Sequence, residues 1–111
     1  MLAPPVVINL RDHRDWRPAR LPADVIYIGG AVGRGGWRLA GSAWANPYRP
    51  KAGDRGAMLA LYAARLRARL AAGEVRPDDI LGLGGHRLAC WCAPLPCHGD
   101  VLAAVWRELR R

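Results

Sequence analysis

The fold is decided by one stretch of the chain, residues 87–109, which reads RLACWCAPLPCHGDVLAAVWREL. Residues 87–91 predict a buried strand of the kind found in α/β proteins. Pro94 and Pro96 stiffen the short connection that follows, and residues 99–109 predict a helix. Its inward side chains are expected to be Val101, Leu102, Val105 and Leu109. A strand that leads directly into a helix is typical of α/β folds, in which ligands bind beyond the carboxyl ends of the strands.

Two short apolar runs upstream predict the other strands of the sheet. Residues 6–9 are rich in β-branched side chains, and residues 25–28 are apolar and end at a pair of glycines. The polar stretch 11–24 between them predicts a loop, which would be a long connection if the two strands pair.

Two helices are predicted between these strands and the last one. The first begins after Asp54 as its N-cap and ends near residue 72, before Gly73. Its buried face consists of Leu59, Tyr62, Ala63, Leu66 and Leu70. The second is a short helix that begins at residues 77–79, where two acids face the positive end of the helix dipole. We therefore predict one small α/β domain over residues 1–111, with about three strands and two main helices.

A long glycine-rich loop, residues 29–53, separates the second strand from the first helix. It shows neither helical nor alternating periodicity, yet it contains Trp37, Trp44 and Tyr48. A loop of this length in a small domain is often functional. The alternative is that its aromatic side chains merely cover the core. The glycine spacing matches no dinucleotide or P-loop motif.

The densest chemistry lies in residues 90–100, CWCAPLPCHGD. In one interpretation Cys97 is a thiolate nucleophile, activated at a helix N-terminus, while His98 and Asp100 transfer protons. In another, Cys90, Cys92, Cys97 and His98 bind zinc, although all four ligands would come from one short segment. In the third, the cysteines are small buried hydrophobes and Asp100 caps the helix.

Charge and composition limit the classes of function. The chain has 111 residues, 51% of them hydrophobic, and a net charge of +8 that is carried almost wholly by arginine. This balance favours anionic partners, although the arginines form no compact block and also fit a solvated surface. Three clustered cysteines, no membrane-spanning run and no signal-peptide pattern predict a protein of the reducing cytoplasm, without contact with a membrane.

Two motifs together resemble those of a known family. Residues 42–48, SAWANPY, and residues 90–100 are similar to the two signature stretches of a bacterial and phage family, domain of unknown function 4326. The Tyr-Ile-Gly sequence that ends at Gly29 resembles a third. The resemblance covers nearly the whole chain and brings no reaction with it. Members of that family often carry Arg where this chain has Gly30, so we expect Arg34 or Arg38 to contact an anion instead.

The two signature stretches are expected to form one pocket. The leading hypothesis is an enzyme or a binding domain for a small anionic, phosphorylated or nucleotide-like molecule, with no cofactor. Cys97, His98 and Asp100 would be its catalytic residues. The ligand-binding residues would be Gly29, Arg34, Arg38, Ser42, Trp44, Asn46, Cys92 and Gly99. The alternative is a basic protein that binds nucleic acid or another partner and is stabilised by zinc.

Overall fold

Three parallel strands form the sheet on which the chain is built. In the computed structural model, which describes residues 2–48 and 54–111, they are β1 (Val6–Asn9), β2 (Val25–Tyr27) and β3 (Arg87–Cys90). Their order is β1-β3-β2, so the last strand lies between the first two. Parallel pairing to β3 aligns the carboxyl ends of all three strands at one edge. The predicted α/β class and three-stranded sheet are confirmed.

Three helices complete the fold: α1 (Arg55–Ala71), α2 (Pro77–Leu81) and α3 (His98–Leu109). The predicted positions hold to within a residue or two, and β3 ends at Cys90, one residue earlier than predicted. No helix within the described residues is long and apolar enough to cross a membrane.

The connection between β1 and β2 has more structure than the predicted loop. The two strands do not pair, because β3 lies between them. Their connection contains the 3₁₀ helices Leu10–Asp12 and Arg14–Trp16. The Asn9 side chain starts the first of these by accepting a hydrogen bond from the backbone N–H of Arg11, 2.9 Å away. The helices are too short to leave a periodic hydrophobic pattern.

The two faces of the sheet are covered differently. Leu88 and Cys90 of β3 face the helices, where they pack with side chains of α1, α2 and α3. Ala89 faces the opposite side, where Trp37 and the 3₁₀ segments cover the sheet. The alternation of one strand therefore separates a helical layer from a loop layer.

The buried faces of the helices were only partly predicted. Tyr62 and Leu66 of α1 are buried as expected, but Met58 is buried where Leu59 was expected to be. In α3 the buried set includes Trp106, whose indole N–H donates to the Leu81 carbonyl across 3.1 Å. Periodicity assigned the faces correctly but missed the side chains at their borders.

The glycine-rich loop has more local structure than its sequence indicates. Val32 and Leu39 form an isolated antiparallel bridge, which closes the turn made by residues 33–38. Gly35 and Gly36 occupy this turn with φ values of 65° and 84°, a region that side-chain-bearing residues rarely adopt. Trp37 follows directly and is buried. Residues 49–53 of the predicted loop lie outside the described residues.

Candidate functional site

The start of α3 is anchored beneath the carboxyl edge of the sheet. His98 Nε2 lies 2.7 Å from the carbonyl oxygen of Ile28, the residue after β2. Gly99 is buried so closely that a Cβ atom there would lie 2.8 Å from Val7 and 2.9 Å from Ile28. The missing side chain therefore lets the helix approach the strands.

The contacts of His98 define its protonation. A carbonyl oxygen only accepts hydrogen bonds, so Nε2 carries the proton and donates a hydrogen bond to the Ile28 carbonyl. Burial lowers the pKa of His98 below 6.5, which leaves the ring neutral at pH 7. Its Nδ1 is then an acceptor, and it lies 3.5 Å from Cys97 Sγ. The ring also packs edge-on against Tyr62, with 5.1 Å between the ring centres.

The three cysteines meet at this corner. Cys90 and Cys97 are almost completely buried, and their sulfur atoms are 3.1 Å apart. The sulfur of half-buried Cys92 joins them, so that all three lie within 4.8 Å of one another. The chain brings this about because Cys92 follows the end of β3, and the proline-containing turn then returns residue 97 to the side of residue 90.

The two buried thiols ionise as a pair. The Cys97 thiol donates to Cys90, and this hydrogen bond lowers the pKa of Cys90 below its usual value. The pKa of Cys97 is raised, because its ionisation would break that hydrogen bond and bury a second negative charge beside the first. Cys97 is therefore the last of the pair to become a thiolate.

Asn9 holds the segment that carries Cys92 in place. Its side-chain amide donates to the carbonyl oxygens of Ala93, at 2.7 Å, and Trp91, at 3.3 Å. These two carbonyls flank Cys92, so the end of β1 fixes the loop that leaves β3. No role was predicted for Asn9 from the sequence, because its hydrogen-bond acceptors are more than 80 positions away.

A cavity of about 210 Å³ lies at the carboxyl edge, next to the cysteine corner. It brings together both signature stretches, with Asn46 from the loop and Cys92 and His98 from the corner. Its lining consists of Gly29, Gly30, Asn46, Tyr48, Arg55, Met58, Cys90, Trp91, Cys92 and His98. Arg55 and Met58 were missed in the sequence, where α1 carried only a packing pattern and an arginine-rich surface.

Other residues predicted to form the pocket lie away from the cavity wall. The Ser42 hydroxyl accepts from the Trp44 backbone N–H at 3.0 Å and shapes its own turn. Trp44 packs against the helical core, and its carbonyl accepts from the Tyr62 hydroxyl at 2.8 Å. The Asp100 carboxylate accepts from the Cys97 backbone N–H at 2.9 Å and so caps α3. Cys97 lies behind Cys90, fully buried.

Arg34 belongs to a second space at the same edge, on the loop-covered side of the sheet. It borders a cleft of about 360 Å³ together with Arg11, Trp37 and Trp91. Trp91 thus borders both spaces, and its ring packs edge-on against Trp37 on the loop-covered side. Arg38 is exposed and lines neither of them.

Comparison with known proteins places the chain in a family. Residues 8–108 match the model of the domain of unknown function (DUF4326), and the chain belongs to this family. It is also similar to an uncharacterized 12.4 kDa protein in the nrdA-td intergenic region of Enterobacteria phage T4, with 36% identity over 69 residues. That match covers 62% of this chain and 64% of the phage protein, less than two thirds of either. No solved structure matches the chain.

Proposed function

We propose that this member of the DUF4326 family binds a small anionic, nucleotide-like or phosphorylated molecule in the cavity at the carboxyl edge of its sheet. The observation that carries the proposal is that Asn46, Cys92 and His98, from separate signature stretches, line one cavity with Arg55. Ligands of open α/β sheets bind at this edge.

The size and lining of the cavity suit a small, partly apolar ligand. Its volume of about 210 Å³ is below the range of ~300–1,000 Å³ that is usual for drug-sized ligands. Met58 supplies apolar surface, while Asn46 and Tyr48 supply polar groups. A planar ring against the apolar side, with a polar edge towards Asn46, fits this distribution.

An anionic group is favoured by the charges around the cavity. Arg55 is the first residue of α1, so its guanidinium lies beside the positive end of a 17-residue helix. The first turn of the helix itself carries no acidic residue, and the one acid at this end is Asp54 at the N-cap position. Arg55 also donates to the Pro96 carbonyl at 3.2 Å, which ties α1 to the cysteine turn. Together these groups support binding of a phosphate or carboxylate.

The residues predicted to be catalytic divide into two sets in this proposal. Cys92 and His98 border the cavity and contact the ligand. Cys97 and Asp100 act behind them, since the thiol is buried beside the imidazole and the carboxylate caps the helix. The half-buried Cys92 sulfur, which lines the cavity, is the thiol outside the fully buried core that a bound ligand would meet. Three free thiols also favour the reducing cytoplasm as its compartment.

The test is a panel of nucleobases, nucleotides and sugar phosphates, screened by thermal shift and then titrated by calorimetry. A ligand at 100 times its dissociation constant stabilises the fold by about 2.7 kcal/mol, which the melting temperature reports readily. Products are analysed in the same samples, so turnover is detected where it occurs. Because Arg55 would form a charge-assisted contact, Arg55→Ala is expected to weaken binding on the order of 10- to 100-fold.

The matched control is Arg107→Ala, which removes the same charge from the exposed surface of α3. It should leave the affinity within about twofold, the effect expected of a distant, screened charge. Equal losses in both variants would show that the overall charge governs binding and would refute a site at the cavity. No binding by any member of the panel would also refute the proposal.

Nucleic-acid binding is a second candidate function, favoured by the arrangement of arginines on the other side of the sheet. Trp37 borders two adjoining clefts of about 360 and 340 Å³, which are lined by Arg11, Arg14, Arg17 and Arg34. None of these four arginines forms an ion pair with the residues that the structure describes. Clustered arginines that lack acidic partners suit a phosphate backbone.

Salt-dependent binding to single-stranded and duplex DNA and RNA tests this function. Replacement of one phosphate-contacting arginine by alanine should make the negative slope of log K against log salt shallower by about 0.7–0.9. Arg34→Ala is the variant, and Arg107→Ala again serves as the surface control. Absence of binding at low salt would exclude this function and leave the cavity proposal intact.

A further inference from the structure

We propose that Cys90, Cys92 and Cys97 form a binding site for a thiophilic divalent cation, with Zn²⁺ as the expected ion. The inference does not depend on the proposed function, since the ion needs no organic ligand. It starts from the placement of the three sulfur atoms within 4.8 Å of one another. Three thiols are the whole cysteine content of the chain, and they converge on one point although their positions span eight residues.

The distances between the sulfur atoms are close to those around a zinc ion. With Zn–S bonds of about 2.3 Å, sulfur atoms in a tetrahedral site lie ~3.8 Å apart. The pair Cys90 and Cys97 is 3.1 Å apart, and the other pairs are no farther apart than 4.8 Å. Each sulfur–sulfur distance therefore needs to change by about one ångström at most. Rotation of the Cys92 side chain and a small separation of the buried pair would provide that change.

The neighbours of the sulfur atoms resemble the supporting groups of a metal site. The backbone N–H of Cys92 donates to Cys90 Sγ across 3.5 Å, a contact that favours a thiolate. The Asn9 amide fixes the backbone on both sides of Cys92, so this ligand is positioned before an ion arrives. His98 lies directly behind Cys97, with Nδ1 3.5 Å from the sulfur, and its own orientation is set by the Ile28 carbonyl.

The position of the site relative to the cavity predicts its open side. Cys90 and Cys92 line the cavity, whereas Cys97 is fully buried behind them. An ion held by three protein ligands would thus present its fourth position to the cavity, where water completes the tetrahedron. Three protein ligands and one open position are typical of catalytic zinc sites, whereas structural sites have four protein ligands.

The balance of the binding step is simple. The three thiols lose their protons to solvent and three Zn–S bonds form. One water of the ion's hydration shell stays bound, and the other waters are released. No electron transfer or oxidant is involved. Simple packing of buried thiols is the competing explanation for Cys90 and Cys97, but it does not account for the half-buried Cys92 that lies beside them.

The experiment uses the full chain, purified under reducing conditions without chelators and without a metal-affinity step. Elemental analysis is expected to find one zinc per chain. Replacement by Co²⁺ should give the thiolate-to-cobalt charge-transfer absorption and the intense visible bands of a tetrahedral sulfur-rich site. Cys92→Ser is the first variant, because Cys92 is outside the fully buried core, and it should weaken Zn²⁺ binding on the order of 100-fold or more.

Two further measurements keep the outcome decisive. His98→Gln retains three thiolates, so it should still bind one Co²⁺ with the charge-transfer band. Native thiol titration should find the cysteines silent with zinc and reactive after chelation, while circular dichroism shows that the apo chain remains folded. A folded apo chain that takes up no Zn²⁺ would overturn the proposal. Unchanged affinity of Cys92→Ser for Zn²⁺ would overturn it as well.

Discussion

Replacement of Gly99 by alanine tests how closely α3 is packed against the sheet. The new Cβ atom would lie 2.8 Å from a Val7 methyl carbon and 2.9 Å from the terminal methyl of Ile28. Carbon atoms in contact prefer about 3.5–4.0 Å, so the neighbours or the helix must move by most of an ångström. Overpacking of this kind costs typically 1–3 kcal/mol. We expect Gly99→Ala to be destabilised by that amount.

Gly56 provides a matched control, because both glycines are the second residue of their helices. A Cβ atom at Gly56 would meet no atom of the described residues within 4 Å. Gly56→Ala should therefore gain about 0.4–1 kcal/mol, since alanine loses less conformational entropy than glycine on folding. The opposite signs of the two changes isolate the packing contribution at Gly99 from the helix propensity that the two variants share.

Urea unfolding, followed by tryptophan fluorescence, measures both variants. The midpoint should fall for Gly99→Ala and rise for Gly56→Ala at an unchanged slope, which marks a change of stability rather than of the denatured state. If Gly99→Ala proved as stable as the wild type, α3 would not approach the sheet as closely as described. The placement of His98 and Cys97, which precede Gly99 in the same turn, would then be wrong as well.

Three further predictions concern the surroundings of the site. Tyr62→Phe should cost about 1–2 kcal/mol in urea unfolding, because the buried Trp44 carbonyl loses its hydrogen-bond donor; a neutral result would contradict that contact. Burial raises the pKa of Tyr62 above its usual 10, so the unfolded chain ionises first and stability should fall as the pH rises above 10. The fall should be smaller in Tyr62→Phe, and an identical pH profile would exclude Tyr62 as its source. Asn9→Ala should lower the free energy of unfolding by about 1–2 kcal/mol and speed amide hydrogen exchange at residues 91–93 and 95. Unchanged exchange would show that Asn9 does not hold the loop.

The sequence predicts the fold well because its elements are marked by local chemistry. The apolar run before the cysteines, the glycines at helix ends and the periodic face of α1 each act within a few residues. These local signals contain no information about the order of the strands in the sheet. Whether β1 pairs with β2 or with β3 depends on contacts between residues about 80 positions apart, and no local pattern records that choice.

The site was predicted in part for the same reason. Cys92, His98 and Asn46 lie in motifs that are dense in reactive groups, and the structure places all three on one cavity. Arg55 lacks such a signal, because an arginine at the start of an arginine-rich helix looks like solvated surface. Trp44, which the sequence also assigned to the pocket, packs against the core, and its carbonyl accepts a hydrogen bond from Tyr62.

The three cysteines converge because of the geometry of the connection between β3 and α3. Residues two apart at the end of a strand project to the same face, which places Cys92 near Cys90. The turn that contains Pro94 and Pro96 then reverses the chain, and the N-cap position of α3 brings Cys97 back to within 3.1 Å of Cys90. Packing alone would require only that the buried positions be small and apolar, and alanine would satisfy that at either buried site. Three thiols at positions that the backbone itself brings together are better explained by a common metal ligand than by simple packing.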